Sequence, residues 1–364
     1  MSNETPTPTI ALLFPGQGSQ TVGMGRAFYD ASPAARAVFE EADDALGFPL
    51  SKIIFEGPEE TLRLTEHTQP AILTVSIASL RVLEPELKSR NLAIAFAAGH
   101  SLGEYSAHVA AGTFTFADAV RTVRSRGQFM QSAVAPGDGA MAAILGLDAD
   151  RINDICAAVS DELTNPPIDD PADPAQQINV IMDSLTHPDN PAITAAGAAA
   201  RVSAIVAPAN INSPNQIVIS GSTSAVELAA QRCKEAGAKR AVMLPVSGPF
   251  HSSLMQPAQD SLAHTLESIV FHDPTFPVAA NADARLLTRA SEIRDALIRQ
   301  VTAPVRWVEC IQLLAQSGVT QIIEVGPGKV LSGLNRQIDK SLSATNVEDP
   351  ASLESTLAAL TTAS

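Results

Sequence analysis

The sequence predicts an α/β protein with a largely parallel sheet, interrupted by a smaller α+β unit. Two observations point there. Short β-like runs alternate with longer amphipathic stretches, and three of the runs end in glycine-rich turns. Thr9 to Phe14 reads as a strand followed by Pro15-Gly16-Gln17-Gly18-Ser19-Gln20. Leu92 to Ala98 reads as a second strand that runs into Gly99-His100-Ser101-Leu102-Gly103, after which Gly103 to Ala111 has a helical pattern. Gln321 to Val325 is a third, ending in Gly326-Pro327-Gly328. Open α/β sheets place their sites at such carboxyl ends.

A third observation sets the middle apart. Ala140 to Leu147, Gln216 to Ser220 and Arg240 to Leu244 read as strands, with a helix from Ser224 to Ala236. The expected organisation is a large subdomain over 1–135 and 246–364, with a small one over 136–245. Within the small one, about 161–200 is rich in proline and acidic residues and holds no Lys or Arg before Arg201. That composition predicts a loop or loosely packed excursion.

With 364 residues, 45% of them hydrophobic, the chain can bury a sizeable core. Met1 to Pro8 lacks the basic start and apolar run of a secretory signal. No uninterrupted apolar run suffices to cross a bilayer, so the expectation is a cytoplasmic protein without membrane association. Cys156, Cys233 and Cys310 are odd in number and widely spaced, which suggests neither a disulfide framework nor a zinc site. A net charge of −15 argues against non-specific nucleic-acid binding.

The chemistry centres on Ser101. A serine hydroxyl is a poor nucleophile until something accepts its proton. Gly-x-Ser-x-Gly between a strand and a helix lifts the serine out of the sheet on a tight turn. The helix start beside it offers free backbone N–H groups to an oxyanion. A base is still required. Of the seven histidines, His251 is distinctive, because it follows Pro245-Val246-Ser247-Gly248-Pro249-Phe250, a strand end and turn that restrict the backbone. His100 adjoins the serine but is expected to point away and pack.

Six segments then match a known family in its own order: Phe14 to Gln20, Gly99 to Ala107, Arg126 to Gln131, Asn210 to Pro214, Gly248 to His251 and Glu324 to Lys329. Over roughly Ile10 to Leu334 the sequence resembles the malonyl-CoA:acyl-carrier-protein transacylases. The resemblance implies an α/β-hydrolase-like large subdomain with a parallel sheet and a ferredoxin-like small one. It implies malonyl transfer from malonyl-CoA to the phosphopantetheine thiol of acyl carrier protein for fatty-acid synthesis, with no permanently bound cofactor. Carried over residue by residue, Ser101 matches the acylated serine and His251 the base. The backbone N–H groups of Gln17 and Leu102 match the oxyanion hole, and Arg126 matches the arginine that holds the malonyl carboxylate. A planar guanidinium suits that role, gripping a carboxylate through two parallel hydrogen bonds. Arg121 and Arg124 are expected to be surface charges. Phe250 resembles the malonyl-selective versions.

The resemblance also implies a backbone carbonyl, rather than an aspartate, that orients the histidine. The matching position falls at Arg306, where glutamine is expected in many members of the family. The acidic stretch is a second departure. Docking of an acidic carrier calls for a basic area, for which Lys329, Arg336 and Lys340 are candidates. Two other readings stay open: a serine esterase of the α/β-hydrolase type, and a free-standing acyltransferase of a polyketide pathway.

Overall fold

The computed structural model describes residues 8–164 and 204–362. The chain begins with β1 (Ile10–Phe14), α1 (Arg26–Ala31), α2 (Pro33–Leu46), α3 (Leu50–Glu56), α4 (Glu59–Arg63) and the long α5 (Thr65–Ser89). It continues through β2 (Ile94–Gly99), α6 (Gly103–Ala110) and α7 (Phe116–Ser132). A second unit follows: β3 (Gly139–Leu145), α8 (Ala149–Thr164), β4 (Val206–Ser213), β5 (Gln216–Ser222), α9 (Thr223–Glu235) and β6 (Arg240–Met243). The chain then returns with α10 (Gln256–Glu267), β7 (Val278–Ala279), β8 (Leu286–Leu287), α11 (Ala290–Arg299) and α12 (Trp307–Gln316). It closes with β9 (Gln321–Val325), α13 (Val330–Ile338), β10 (Ser343–Val347) and α14 (Pro350–Thr362).

Local signals set several boundaries. Helix α2 starts with Pro33, which needs no N–H partner there, and Ser32 Oγ caps it by accepting from Ala35 N–H at 3.3 Å. It stops at Gly47, which takes the left-handed conformation at φ 72°. Thr115 caps α7 in the same way as Ser32.

The large sheet has the order β10-β9-β1-β2-β7-β8 and is parallel except for the β7–β8 pair. Strand β1, at its centre, is buried along its whole length, as a strand covered on both faces must be. Its side chains alternate: Ile10, Leu12 and Phe14 enter the core under α5 and α7, while Ala11 and Leu13 face Trp307, Ile311 and Leu314 of α12. The four-stranded antiparallel sheet has the order β4-β5-β3-β6. With α8 and α9 in the chain order βαββαβ, this is a ferredoxin-like arrangement. It has its own core, in which Ile144, Ile152, Val159 and Ile219 pack together.

The two units are joined by backbone. Val305 N–H donates to Ala209 O at 2.8 Å, and Ile211 N–H donates to Val305 O at 2.9 Å. A strand at β4 was not expected from the sequence, and this pairing explains it: β4 is ordered by neighbours on both sides. Helix α8 extends into the expected acidic excursion as far as Thr164. The rest of that stretch lies outside the described residues. The three cysteines are buried and unbridged, and among the described residues no helix is long and apolar enough to cross a membrane.

Glycine contacts in the turn after β2 give a stability prediction. A Cβ on Gly99 would lie 1.9 Å from the backbone carbonyl of Gly103, whereas one on Gly333 in α13 would meet nothing within 4 Å. Thermal denaturation should therefore show Gly99→Ala losing cooperative folding. Gly333→Ala should unfold at the same or a higher temperature, since alanine gains about 1 kcal/mol over glycine inside a helix.

Candidate active site

Ser101 sits between the end of β2 and the start of α6 with φ at +50°, a left-handed conformation that a residue with a Cβ adopts at a cost. Surrounding contacts hold it there. Gly103 packs so tightly on β1 that a Cβ would come within 2.1 Å of Phe14 O. Asn281, after β7, clamps the turn from the other side. Its Oδ1 accepts from Ser101 N–H at 2.6 Å and its Nδ2 donates to Gly99 O at 2.8 Å.

His251 is buried and also has a positive φ, +58°. Its Nδ1 lies 2.9 Å from Gln300 O and 3.2 Å from Ala303 O. Carbonyl oxygens only accept, so Nδ1 carries the hydrogen and Nε2 is left with a lone pair. Ser101 Oγ lies 2.7 Å from that Nε2 and can donate its proton to it. Burial, reinforced by the positive charge of Arg126, lowers the imidazole pKa to about 3. The ring therefore stays neutral and able to accept a proton at physiological pH.

The expectation for Arg306 is corrected. Its N–H donates to Asn281 O, and its guanidinium pairs with Glu309 on the first turn of α12. The carbonyls that orient His251 belong to Gln300, at the end of α11, and to Ala303. Residue 306 lies past the turn that brings those carbonyls to the imidazole.

Arg126 projects from α7 and is 1% exposed. Its Nη1 donates to Gln69 Oε1 at 2.9 Å. Its Nη2 donates to Gln300 Oε1 at 3.0 Å and to Ser101 Oγ at 3.1 Å. Each of these partners is neutral, so a full positive charge stands beside the serine with no carboxylate bonded to it. The two neighbouring arginines differ from each other. Arg121 is a surface charge paired with Asp118, whereas Arg124 is only partly exposed and lies 4.5 Å over the Phe48 ring.

A cleft of about 530 Å³ opens over these groups, between the two sheets. Gln17 and Leu102 line it beside Ser101, and Phe250 lines it next to His251. Met130, Met141 and Val218 form an apolar wall. His100 also reaches the cleft. Its Nε2 is 2.8 Å from Asn212 Oδ1 of β4, and its ring lies 5.5 Å from that of Trp307.

Comparisons with known proteins identify the family. An acyl transferase domain model matches residues 11–164. The malonyl CoA-acyl carrier protein transacylase of Bacillus subtilis is 46% identical, covering 95% of this chain and 95% of its own. That of Escherichia coli K12 is 43% identical, covering 96% and 98%. The chain belongs to the malonyl CoA-acyl carrier protein transacylases. A crystal structure of an acyl-carrier-protein S-malonyltransferase from Bartonella henselae superposes with a TM-score of 0.82 at 41% identity, covering 97% of this chain and 99% of that one. A malonyl-transacylase in complex with a type II PKS acyl-carrier protein gives 0.82 at 42% identity, covering 96% and 99%.

As a member of that family this transacylase is an acyltransferase, and three of its site residues escaped the sequence reading. Gln69, Asn281 and Gln300 are buried amides that touch Arg126 or the serine turn. No motif spacing marks them. Thr65, Thr68 and Gln69 are buried polar residues at the start of α5, but the helix also buries Thr74, Ser76 and Ser79, so they do not stand out.

The depressed pKa of His251 has a consequence for this transacylase. A base with a lowered pKa stays competent as pH falls, and loses activity only when pH drops through that low value. Labelling of Ser101 by a small neutral fluorophosphonate should therefore stay level from pH 8 to pH 5, with no loss near the ordinary histidine value of about 6.5. In Arg126→Met the positive neighbour is gone, and the acid limb should move upward. Stopped-time mass spectrometry across the pH range measures both.

Proposed function

We propose that this enzyme transfers a malonyl group from malonyl-CoA to the phosphopantetheine thiol of acyl carrier protein, by a ping-pong route through a malonyl-serine ester. His251 Nε2 takes the Ser101 proton as Oγ attacks the thioester carbonyl. The oxyanion rests on the backbone N–H groups of Gln17 and Leu102, a type of donor commonly worth about 3 kcal/mol in the transition state. Coenzyme A then leaves with the proton held by His251. The carrier's thiol attacks the ester in turn, and His251 again moves the proton. The reaction uses side chains and backbone alone, with no bound cofactor.

The observation that carries this reading is Arg126, a buried guanidinium bonded to neutral groups and 3.1 Å from the reacting oxygen. A buried cation bonded only to neutral groups is a poor solution for an esterase. It suits a substrate whose acyl group ends in a free carboxylate, which would supply a directly bonded anion. Phe250, beside His251 in the cleft, would crowd an α-methyl branch. Exclusion of one methyl is worth roughly 1–3 kcal/mol, so the preference against methylmalonyl is expected to be partial.

Lys329, Arg336 and Lys340 are exposed on and beside α13, and Lys329 lies 3.6 Å from Glu348. We assign the carrier's acidic surface to this area. The pathway is fatty-acid synthesis, in the cytoplasm. A type II polyketide carrier is the second reading, since one similar structure holds a type II PKS acyl-carrier protein.

Intact-mass analysis after separate mixing with malonyl-CoA, acetyl-CoA and methylmalonyl-CoA tests the proposal. A malonyl adduct is expected, absent in Ser101→Ala and strongly reduced in Arg126→Ala. Dominant acetyl labelling, or unchanged malonyl selectivity in Arg126→Ala, would overturn the arginine assignment. Hydrolysis of simple esters at the rate of malonyl transfer would favour the esterase. Charge reversal at Arg336 and Lys340 should slow transfer to the carrier while leaving formation of the malonyl-serine ester unchanged.

A further inference from the structure

Glu104 is fully buried on the first turn of α6, three residues beyond Ser101, and takes no part in the acyl transfer set out above. A buried carboxyl group is costly unless its hydrogen bonds serve something. One oxygen, Oε2, accepts from Gln300 Nε2 at 2.7 Å and from Asn281 N–H at 3.0 Å. The other, Oε1, has no partner. The two residues it holds are those that organise the site. Asn281 clamps the serine turn, while Gln300 bonds Arg126 through Oε1 and His251 through its backbone carbonyl.

The Gln300 amide is used completely. Its Nε2 donates one hydrogen to Ser101 O at 3.0 Å and the other to Glu104, and its Oε1 accepts from Arg126 Nη2. Glu104 and the Ser101 carbonyl therefore fix which end of the amide faces Arg126. With the amide reversed, its NH2 group would confront the guanidinium donors and its oxygen would confront two acceptors. Withdrawing the carboxyl oxygen frees one Gln300 hydrogen and one Asn281 N–H in a dry interior, and both groups shift to find new partners.

We propose that Glu104 is a positioning residue for acyl selectivity: by holding Gln300 and Asn281 it aims the Arg126 guanidinium at the carboxylate end of an acyl group on Ser101. This role belongs to the reach of the carboxyl oxygen and not to its charge. Burial raises the Glu104 pKa to about 7, and a proton arriving on the unpartnered Oε1 leaves Oε2 free to accept as before.

The inference rests on the reading that Arg126 binds a substrate carboxylate, and the test separates the two. Second-order rates of Ser101 acylation by malonyl-CoA and acetyl-CoA are measured by intact mass for the wild type and variants, with far-UV circular dichroism and thermal denaturation on each. Glu104→Gln keeps an oxygen at the same reach without the charge, so its malonyl-to-acetyl ratio should stay within about twofold of wild type. Glu104→Asp keeps the charge but falls one carbon short. Its ratio should drop by about tenfold, the scale of one lost buried hydrogen bond. A merely structural role would slow both donors alike and leave the ratio unmoved.

An unchanged ratio in Glu104→Asp overturns the proposal, as does a collapsed ratio in Glu104→Gln. Should Glu104→Asp fail to fold, Glu104→Met or Glu104→Ala takes its place, with the same drop in ratio expected and an unchanged ratio again overturning the proposal. An Arg126→Ala variant that keeps full malonyl selectivity refutes the carboxylate reading instead. Loss of selectivity in Arg126→Ala without loss in Glu104→Asp refutes only the role of Glu104.

Discussion

Arg126 brings a positive charge into a nearly closed floor of the cleft, and the site is arranged around making that tolerable without bonding it to a carboxylate. Removing a guanidinium from water costs several kcal/mol even after relaxation. A bonded carboxylate would offset the cost, but it would also occupy the face proposed for the malonyl carboxylate. Gln69 from α5 and Gln300 from the end of α11 solve this with neutral amide oxygens. They hold the guanidinium in place and leave its charge unspent beside Ser101.

Gln300 joins Arg126 to His251. Its side chain supports Arg126 while its backbone carbonyl accepts from His251 Nδ1. One residue thus sets both the direction of the cation and the tautomer of the imidazole. A backbone acceptor also differs from an aspartate in adding no negative charge, so the bonds to Gln300 and Ala303 raise the His251 pKa by less than burial and Arg126 lower it. The result is an imidazole that is neutral and ready to accept a proton, rather than one held partly charged.

The serine and the histidine share a second constraint, since both stand at positive φ. Backbone strain of this kind persists only where the surroundings determine the geometry several times over. For Ser101 those surroundings are Gly103 packed on Phe14 O and the two bonds to Asn281. The parallel sheet supplies the rigid base. Its central strands end at the cleft, and the antiparallel unit covers the cleft from the far side, tied on by the backbone pairing of β4 with Val305.

The sequence by itself determined the α/β class and the strands that end at the cleft, and it named Ser101, His251 and Arg126, which the structure brings together there, because each is marked locally by periodicity, glycine placement or a motif matched in order. It misplaced the carbonyl that orients His251, naming Arg306 where the structure uses Gln300 and Ala303. It was silent on Gln69 and Asn281. The physical reason is the same in each case. Every residue has a backbone carbonyl, so its identity says nothing about which one meets an imidazole. A glutamine 174 residues from the arginine it supports carries no spacing signal either. Those assignments depend on how α5, α7 and α11 pack around one cleft, and only the tertiary structure decided that.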